Sequence, residues 1–165
     1  MYELQRLAAH HATALLHFER ENRAWFARSV PDRGDDYFTG FAARHTEILA
    51  EQAAGRHHFH LLVDGDGAVL GRVNLVDVDP ADGSAALGFR VAERVTGRGV
   101  ATDAVRRVLT LARDTYRLRR LYASATLTNA GSLGVLRATG FTPVGEVTLD
   151  GQPGLRHVRE LTPDG

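Results

Sequence analysis

The sequence predicts an α+β fold in which helices flank a central mixed, mostly antiparallel sheet. Two amphipathic helical patterns come first, and short alternating segments separated by turns follow them, which indicates a run of antiparallel strands. A strand, a glycine-bearing turn and a helix then follow in direct succession. At 165 residues the chain has room for one core of ordinary size, so we expect a single domain over residues 1–165.

The first part of the chain is predicted to form two helices. Residues 11–27 carry a set of side chains at near-helical spacing: Leu15, Phe18, Asn22, Trp25 and Phe26. After a turn at residues 31–34 the spacing is repeated by Phe38, Phe41, His45, Ile48 and Leu49. We interpret Trp25 and Phe26 as core residues, with the lining of a binding pocket as the alternative.

Three strands are predicted next, at residues 58–64, 68–79 and 84–92. Short turns rich in Gly, Asp and Pro separate them, so the strands are expected to form an antiparallel meander. His58 and His60 share one face of the first of these strands, but no third ligand lies nearby in the sequence. We therefore expect no metal site there.

The remaining elements close the predicted sheet. A helix is predicted over residues 101–116 and strands over residues 120–127, 141–149 and 156–161. Asn129 suits the N-cap of a short helix that continues to Thr139, and Gly140 suits its C-cap.

Composition excludes several classes of protein. With 44% hydrophobic residues, 24% charged residues and no net charge, the chain is neither a disordered tail nor a fibrous repeat. Cysteine is absent, which excludes disulfides, thiolate metal sites and covalent catalysis on a Cys. No segment has the pattern of a membrane span or a secretory signal, so we expect a cytoplasmic protein without a membrane partner.

All 20 basic residues are Arg, a bias that we attribute to GC-rich coding. Their distribution along the chain is uneven. Residues 94–137 contain nine Arg against Asp103 and Asp114, which gives this segment an excess of seven positive charges. This segment is therefore expected to meet an anion.

The turn at residues 97–102, Gly-Arg-Gly-Val-Ala-Thr, lies between a predicted strand and a predicted helix. A helix start presents unpaired backbone N–H groups and a positive dipole end, and glycine lets phosphate oxygens approach the backbone. The turn therefore favours a pyrophosphate group. The alternative is a tight connection that needs Gly97 and Gly99 only for their backbone dihedral angles.

Three motifs together resemble the GNAT superfamily of N-acetyltransferases, and within it the Rim type, which resembles ribosomal-protein-alanine acetyltransferases. They are Leu87-Gly88-Phe89-Arg90-Val91, the turn at residues 97–102, and Asn129-x-x-Ser132 followed by Thr139-Gly140-Phe141. The resemblance implies a GNAT-like acyl-CoA N-acyltransferase fold and an acetyl-CoA (coenzyme A) site. It assigns these residues to cofactor binding: Phe89, Arg90, Val91, Gly97, Arg98, Gly99, Val100, Ala101, Thr102 and Asn129.

The sequence departs from the family pattern at three positions. Thr96 stands where the phosphate turn usually has Arg or Gln, which puts one phosphate donor in doubt. Leu136 stands where a tyrosine acid is frequent, and Ala86 where a glutamate is frequent. Ser132 thus becomes the candidate catalytic residue that protonates or orients the departing thiolate, with a place in the first helical turn as its structural alternative.

No general base is assigned from the sequence. Five polar residues lie on or near the predicted strands: Asp77, Asp79, Glu93, Glu146 and His157. We interpret each of them as a solvated strand or turn residue. A base can also act through water.

The leading hypothesis is an enzyme that moves an acetyl group from acetyl-CoA to a primary amine by direct attack in a ternary complex, because no Cys exists to carry it. The resemblance implies a protein or peptide N-terminal amine as acceptor, with an amino sugar, polyamine or antibiotic as the alternative. A non-catalytic acyl-CoA sensor and a nucleic-acid-binding module are the competing hypotheses. The glycine turn and the acidic remainder argue against nucleic acid as a partner, and the chain is expected to be a monomer or a homodimer.

Overall fold

A computed structural model describes residues 1–162, so the last three residues of the predicted domain lie outside the described part. Its sheet has seven strands in the order β1-β2-β3-β4-β5-β7-β6. The strands are β1 (Glu3–Arg6), β2 (His58–Val63), β3 (Val69–Asp79), β4 (Ser84–Val91), β5 (Arg120–Thr126), β6 (Thr142–Leu149) and β7 (Gln152–Glu160). Only β4 and β5 pair in parallel, which confirms the mixed, mostly antiparallel sheet.

The helices are α1 (Ala12–Glu21), α2 (Arg23–Ala27), α3 (Asp35–Thr39), α4 (Phe41–Ala53), α5 (Val100–Asp114) and α6 (Ala130–Ala138). The two continuous helices predicted before the sheet are each divided, at Asn22 and at Gly40. Asn22 uses its side-chain amide to donate to the Phe18 carbonyl at 3.0 Å and to accept from the Glu93 backbone N–H at 3.0 Å. A side chain that bonds the backbone in this way ends α1 and ties it to the segment after β4.

Two details of the strands differ from what the sequence predicted. β1 was not predicted, because Glu3–Arg6 is short and lies at the sheet edge, where it pairs only with β2. β7 begins at Gln152 instead of residue 156, so the last two strands form a tight hairpin around the turn at Asp150 and Gly151. No helix in the described part of the chain has the length and apolar character needed to span a bilayer.

The helices cover both faces of the sheet. On one face α1 contacts β3, and Glu19 of α1 lies against Arg72 of β3 and Arg90 of β4. On the other face α5 contacts β3 and β4, and His60 of β2 bonds Tyr116, just after α5. Because successive residues of a strand point to opposite faces, these contacts assign each side chain of the central strands to the α1 face or the α5 face.

The sheet opens between β4 and β5. The two strands pair only along Ser84–Ala86 and Arg120–Tyr122. Beyond this point β4 continues with β3 as far as Val91, and β5 continues with β7 as far as Thr126. The edge of β4 from Leu87 to Val91 therefore borders a gap in the sheet.

Candidate active site

The predicted phosphate turn lies where β4 leads into α5. Gly97 and Gly99 have φ angles of 77° and 75°, a left-handed backbone that other residues adopt only with strain. Gly99 is the N-cap of α5, and its carbonyl accepts the first helical hydrogen bond, from the Asp103 N–H at 3.0 Å. Within residues 1–162, no acceptor bonds the backbone N–H groups of residues 97–102.

These free N–H groups fit a phosphate-bearing cofactor. A Cβ built on Gly97 or Gly99 meets no atom within 4 Å, so the space in front of the turn is open. The nearest acidic side chain of the helix start, Asp103, is engaged by the Tyr2 hydroxyl and by Arg107 at 3.1 Å. A row of unpaired donors at the positive end of a 15-residue helix is the arrangement in which helix starts bind anions.

Fewer arginines lie near this turn in the structure than the count over residues 94–137 suggests. Arg98 is exposed beside the turn, and Arg94 lies 4.0 Å from Glu21. At the other end of α5, however, Arg113 pairs with Asp114, and Arg120 pairs with Asp82. A candidate anion site at the turn would therefore rest mainly on backbone N–H groups and on few charged side chains.

The edge of β4 beside the gap contains Phe89, Arg90 and Val91, which were predicted to present backbone groups to a cofactor. The Arg90 side chain points to the α1 face, where it contacts Glu19, so Phe89 points to the α5 face. Backbone groups of an unpaired strand edge are free to bond an extended ligand.

Asn129 and Ser132 lie at the start of α6. The Asn129 side chain accepts the Ser132 backbone N–H at 3.2 Å, which confirms its predicted role as N-cap. The Ser132 side chain is half-buried, and its hydroxyl has no hydrogen-bond partner among the described residues. Because the cap uses the Ser132 backbone, the hydroxyl stays available for a ligand.

A buried group of charges lies on the α1 face, on the other side of the sheet from α5. The Glu19 side chain is 1% exposed, and its Oε1 lies 3.4 Å from Arg33, 3.4 Å from Arg90 and 3.9 Å from Arg72. Three guanidinium groups thus meet one carboxylate. We call Glu19, Arg33, Arg72 and Arg90 the charged cluster.

Burial and, to a smaller extent, the positive charge of Arg33 lower the pKa of Arg90 to about 10, whereas Glu19 opposes the shift. Arg90 nevertheless stays protonated at neutral pH. Burial is the main cause of this lower pKa, and the neighbouring positive charges of Arg33 and Arg72 add to it.

A cavity of about 160 Å³ adjoins the charged cluster. Its lining comes from α1, α3, α4, β2, β3 and the segment before α3: Leu15, Arg33, Tyr37, Phe41, Arg44, His45, Ile48, Phe59, Arg72 and Asn74. Arg72 and Asn74 lie on β3 directly opposite Arg90 and Gly88 of β4, so the cavity wall is one strand away from the gap between β4 and β5. We call it the α1-face cavity.

The sequence analysis did not identify the charged cluster or the α1-face cavity. Two signals were present. Glu19 follows Leu15 by four residues and precedes Asn22 by three, which places an acidic residue on the buried face of α1. Arg72 and Asn74 alternate with the apolar Val73 and Leu75 in the middle of β3, which indicates a polar patch on one face of the sheet.

The polar residues considered from the sequence lie elsewhere. Asp77, Asp79, Glu93 and Glu146 are exposed, and His157 is buried with its Nδ1 at 3.2 Å from the Leu155 carbonyl. His60 bonds the Tyr116 hydroxyl at 2.6 Å, and His58 stacks on the same ring. No group of three potential metal ligands occurs among the residues that the structure describes.

Comparisons with known proteins agree with this geometry. The family described as "Acetyltransferase (GNAT) domain" matches residues 3–142. The probable N-acetyltransferase YjcK of Bacillus subtilis (strain 168) is 32% identical over 130 residues, which cover 76% of this chain and 72% of YjcK.

Solved structures share the fold over nearly the whole chain. The ribosomal-protein-S5-alanine acetyltransferase of Vibrio fischeri superposes with a TM-score of 0.91 at 19% identity and covers 98% of this chain and 94% of its own. RimJ of Mycobacterium smegmatis, solved in complex with CoA-disulfide, has a TM-score of 0.84 at 24% identity and covers 95% of this chain and 80% of its own. The matched family spans most of the sequence, and the chain therefore belongs to the GNAT acetyltransferases, enzymes whose acetyl donor is acetyl-CoA.

Proposed function

We propose that the protein is an N-acetyltransferase whose acceptor is the N-terminal α-amine of a protein or peptide. The observation that carries the proposal is the gap between β4 and β5, which has the phosphate turn at one end and the α1-face cavity beside it. Such a gap gives a donor and an acceptor separate entrances to one reaction centre. The likeness to a ribosomal-protein-alanine acetyltransferase supports a peptide amine over a small-molecule amine.

The proposal places the cofactor along the gap. The N–H groups of Gly97, Arg98, Gly99, Val100, Ala101 and Thr102 would hold the pyrophosphate, and the backbone of Phe89, Arg90 and Val91 would bind the pantetheine arm. Asn129 would contribute by holding the start of α6 in place, and with it Ser132 in the first turn of that helix. Bound acetyl-CoA supplies an acetyl thioester, an acyl group that is already activated.

The residues of the chain then have two tasks. The backbone edge of β4 offers N–H groups that polarise a carbonyl, and the Ser132 hydroxyl donates a hydrogen bond to a departing thiolate. Holding donor and acceptor together supplies much of the rate, because it removes the entropy cost of bringing them together. The proposal assigns no side chain as base, and the amine gives its proton to water.

The absence of Cys leads to a kinetic expectation. Without a thiol to carry the acetyl group, transfer should be sequential, and initial-rate plots at several acceptor concentrations should intersect. Parallel lines, or a mass gain of one acetyl group on protein incubated with acetyl-CoA alone, would contradict direct transfer. The chain has no Lys, so the N-terminus is its main amine and can be blocked in a control.

The acceptor is tested by measuring release of free thiol from acetyl-CoA with N-terminal peptides, polyamines and aminoglycosides. Thiol release with peptides alone supports the proposal. Thiol release with only one of the small amines shows that this amine, and not a peptide, is the acceptor. Tight binding of acetyl-CoA without release from any amine favours the sensor. Leu136 and Ala86, which replace a frequent tyrosine and a frequent glutamate, are the residues that favour this second candidate.

We also propose that residues 1–165 act as one acetyltransferase domain. The cytoplasmic location stays a prediction from the sequence, as does the choice between monomer and homodimer.

A further inference from the structure

We propose that the acceptor carries a carboxylate close to its amine, and that this carboxylate binds in the α1-face cavity between Arg33 and Arg72. The inference rests on the proposed function, because it names the class of amine that this site would take. It assigns the cavity to recognition of an anion.

The balance of charge around the cavity favours an anion. In the charged cluster, Arg33, Arg72 and Arg90 face the single carboxylate of Glu19. Arg44, also on the lining, is already paired with Glu47 at 3.2 Å and Glu51 at 3.1 Å. No acidic side chain lines the cavity itself, and the three arginines of the charged cluster share one carboxylate, which leaves an excess of two positive charges beside the cavity.

Arg72 supplies the second observation. Its side chain is only 7% exposed, yet Nε and Nη1 have no hydrogen-bond partner in the described part of the chain, and Nη1 is 3.9 Å from Glu19. A buried guanidinium with free N–H groups is costly unless another group bonds it. A carboxylate from a ligand would satisfy these donors in the two-pronged geometry that arginine favours.

The cavity also offers a hydrogen-bond acceptor for the amine of the substrate. The Asn74 Oδ1 atom is buried and lacks a partner among the described residues, and Asn74 lies directly opposite Gly88, beside the gap. Arg72 lies two residues further from the parallel pairing of β4 and β5. Along β3, the hydrogen-bond acceptor Asn74 therefore lies nearer to the parallel pairing of β4 and β5, and the guanidinium group of Arg72 lies further from it.

Distances along the sheet set the separation between amine and carboxylate. Neighbouring strands are about 4.8 Å apart, and an extended chain advances about 3.3 Å per residue. A group in the cavity is thus separated from the gap by the length of one or two residues. An acidic side chain at the first or second position of the acceptor has this reach, and a volume of about 160 Å³ holds a carboxylate with a few methylene groups.

The test uses acceptors that differ in charge at one side chain. The peptides Ala-Glu-Ala-Ala, Ala-Gln-Ala-Ala and Ala-Arg-Ala-Ala, each amidated at the C-terminus, are compared in thiol release, with spermidine as a cationic small amine. We expect kcat/KM for the Glu peptide to exceed that for the Gln peptide at least about tenfold, with the Arg peptide slowest. The dipeptide Ala-Gln with a free C-terminus tests whether a terminal carboxylate fills the same place.

Variants then connect the preference to the cavity. Arg33→Gln, at a partly exposed side chain, should reduce the ratio of Glu to Gln peptide at least about threefold, and Arg72→Gln should reduce it further. Arg20→Gln, an exposed position of α1 outside the cavity, is the matched control and should keep the ratio. The Arg33 variant decides the question if Arg72→Gln does not fold.

Failure of this inference is distinct from failure of the proposed function. If the Glu, Gln and Arg peptides react at equal rates, or if Arg33→Gln leaves the ratio unchanged, the protein is a peptide acetyltransferase without the anion site. Preference for spermidine overturns both proposals. Absence of reaction with every peptide overturns the proposed function first, and with it the inference.

Discussion

The two ends of the proposed active site are built in different ways. The phosphate turn is six consecutive residues, 97–102, and its binding groups are backbone N–H groups at the start of α5. The α1-face cavity is lined by side chains from several elements that are far apart in the sequence, such as Leu15, Arg33 and Asn74. Binding at the turn depends on backbone N–H groups that no side chain covers. Binding in the cavity depends on which side chains meet there.

This difference predicts different responses to substitution. In the turn, a substitution acts through the side chain that it adds in front of the backbone. Around the cavity, it acts through the contact that it removes, because every buried charge depends on partners from other elements. Four substitutions, each with a matched control, test the contrast.

Glu19→Gln should have the largest effect. It removes the only carboxylate of the charged cluster and leaves Arg33, Arg72 and Arg90 without a negative partner. Breaking a buried charge pair by removing one member typically costs about 3–5 kcal/mol, so we expect a loss of this size in the free energy of unfolding. Denaturant titration measures it.

The control for Glu19→Gln is Glu47→Gln. Glu47 also pairs with an arginine, Arg44, but its side chain is 64% exposed. Its replacement should change the free energy of unfolding by less than about 0.5 kcal/mol. Equal stability of the two variants would show that the charged cluster contributes nothing through burial, and the contrast between turn and cavity would fail.

Gly99→Glu should be next in size. Saturating acetyl-CoA should stabilise the wild type by RT ln(1 + [L]/Kd), about 2.7 kcal/mol at 100 times Kd, seen as a higher melting temperature. A glutamate at Gly99 puts a negative side chain in the open space where phosphate would bind. We expect the affinity to fall more than about 100-fold and the thermal shift to disappear.

Gly55→Glu separates this effect from backbone strain. Gly55 has a φ of 78° against 75° at Gly99, and neither has an atom within 4 Å of a built Cβ. Both variants should lose similar stability without ligand, but only Gly99→Glu should lose the response to acetyl-CoA. Loss of the response in both, or in neither, would remove the turn from the cofactor site.

The same contrast explains how much the sequence predicted. The fold class, the meander, the turn and the N-cap at Asn129 were all predicted, because each depends on neighbours within a few residues. The division of the first two helices at Asn22 and Gly40 was missed, since Asn22 acts through a contact with Glu93, 71 residues away.

The α1-face cavity was missed for a similar reason. Glu19 is recognisable as a site residue only once α1 is known to lie on the face that carries Arg72 and Arg90. A strand period shows that Arg72 and Asn74 share a face, but it does not show what covers that face. Local patterns therefore predict a site made by backbone, and tertiary contacts are needed for a site made by side chains.

Ser132→Ala should lower kcat by about 100-fold, the lower end for general-acid or hydrogen-bond assistance, because a thiolate is a good leaving group. The affinity for acetyl-CoA, measured by thermal shift or calorimetry, should hardly change, because one hydroxyl is a small part of the contacts. The Asn129 cap also persists, because it uses the Ser132 backbone N–H. Stability should therefore be unchanged.

Asn129→Ala is the matched variant, because it removes the cap and keeps the hydroxyl. It should lower the free energy of unfolding by about 0.5–2 kcal/mol. We expect kcat to fall only if loss of the cap moves the Ser132 hydroxyl. An unchanged kcat in Ser132→Ala would return Ser132 to a purely structural place in the helix. A fall in cofactor affinity equal to the fall in rate would make it a binding residue.

Thr96→Arg should have the smallest effect, and it is the one expected gain. Thr96 is exposed, with an extended backbone (φ −65°, ψ 144°) that accepts any residue, and it stands where the family usually has Arg or Gln. An exposed ion pair contributes about 0.2–1 kcal/mol, so acetyl-CoA should bind about 1.4- to 5-fold more tightly, and the gain should shrink as salt increases.

Thr110→Arg is the control for net charge, because it adds the same side chain at an exposed position of α5, away from the phosphate turn. It lies ten residues after Val100, about 15 Å along the axis, which exceeds the screening length of about 8 Å at physiological salt. Only Thr96→Arg should therefore tighten binding. If both variants do so equally, the gain comes from overall charge. If neither does, the backbone N–H groups alone hold the phosphates, and the departure at Thr96 costs the enzyme nothing.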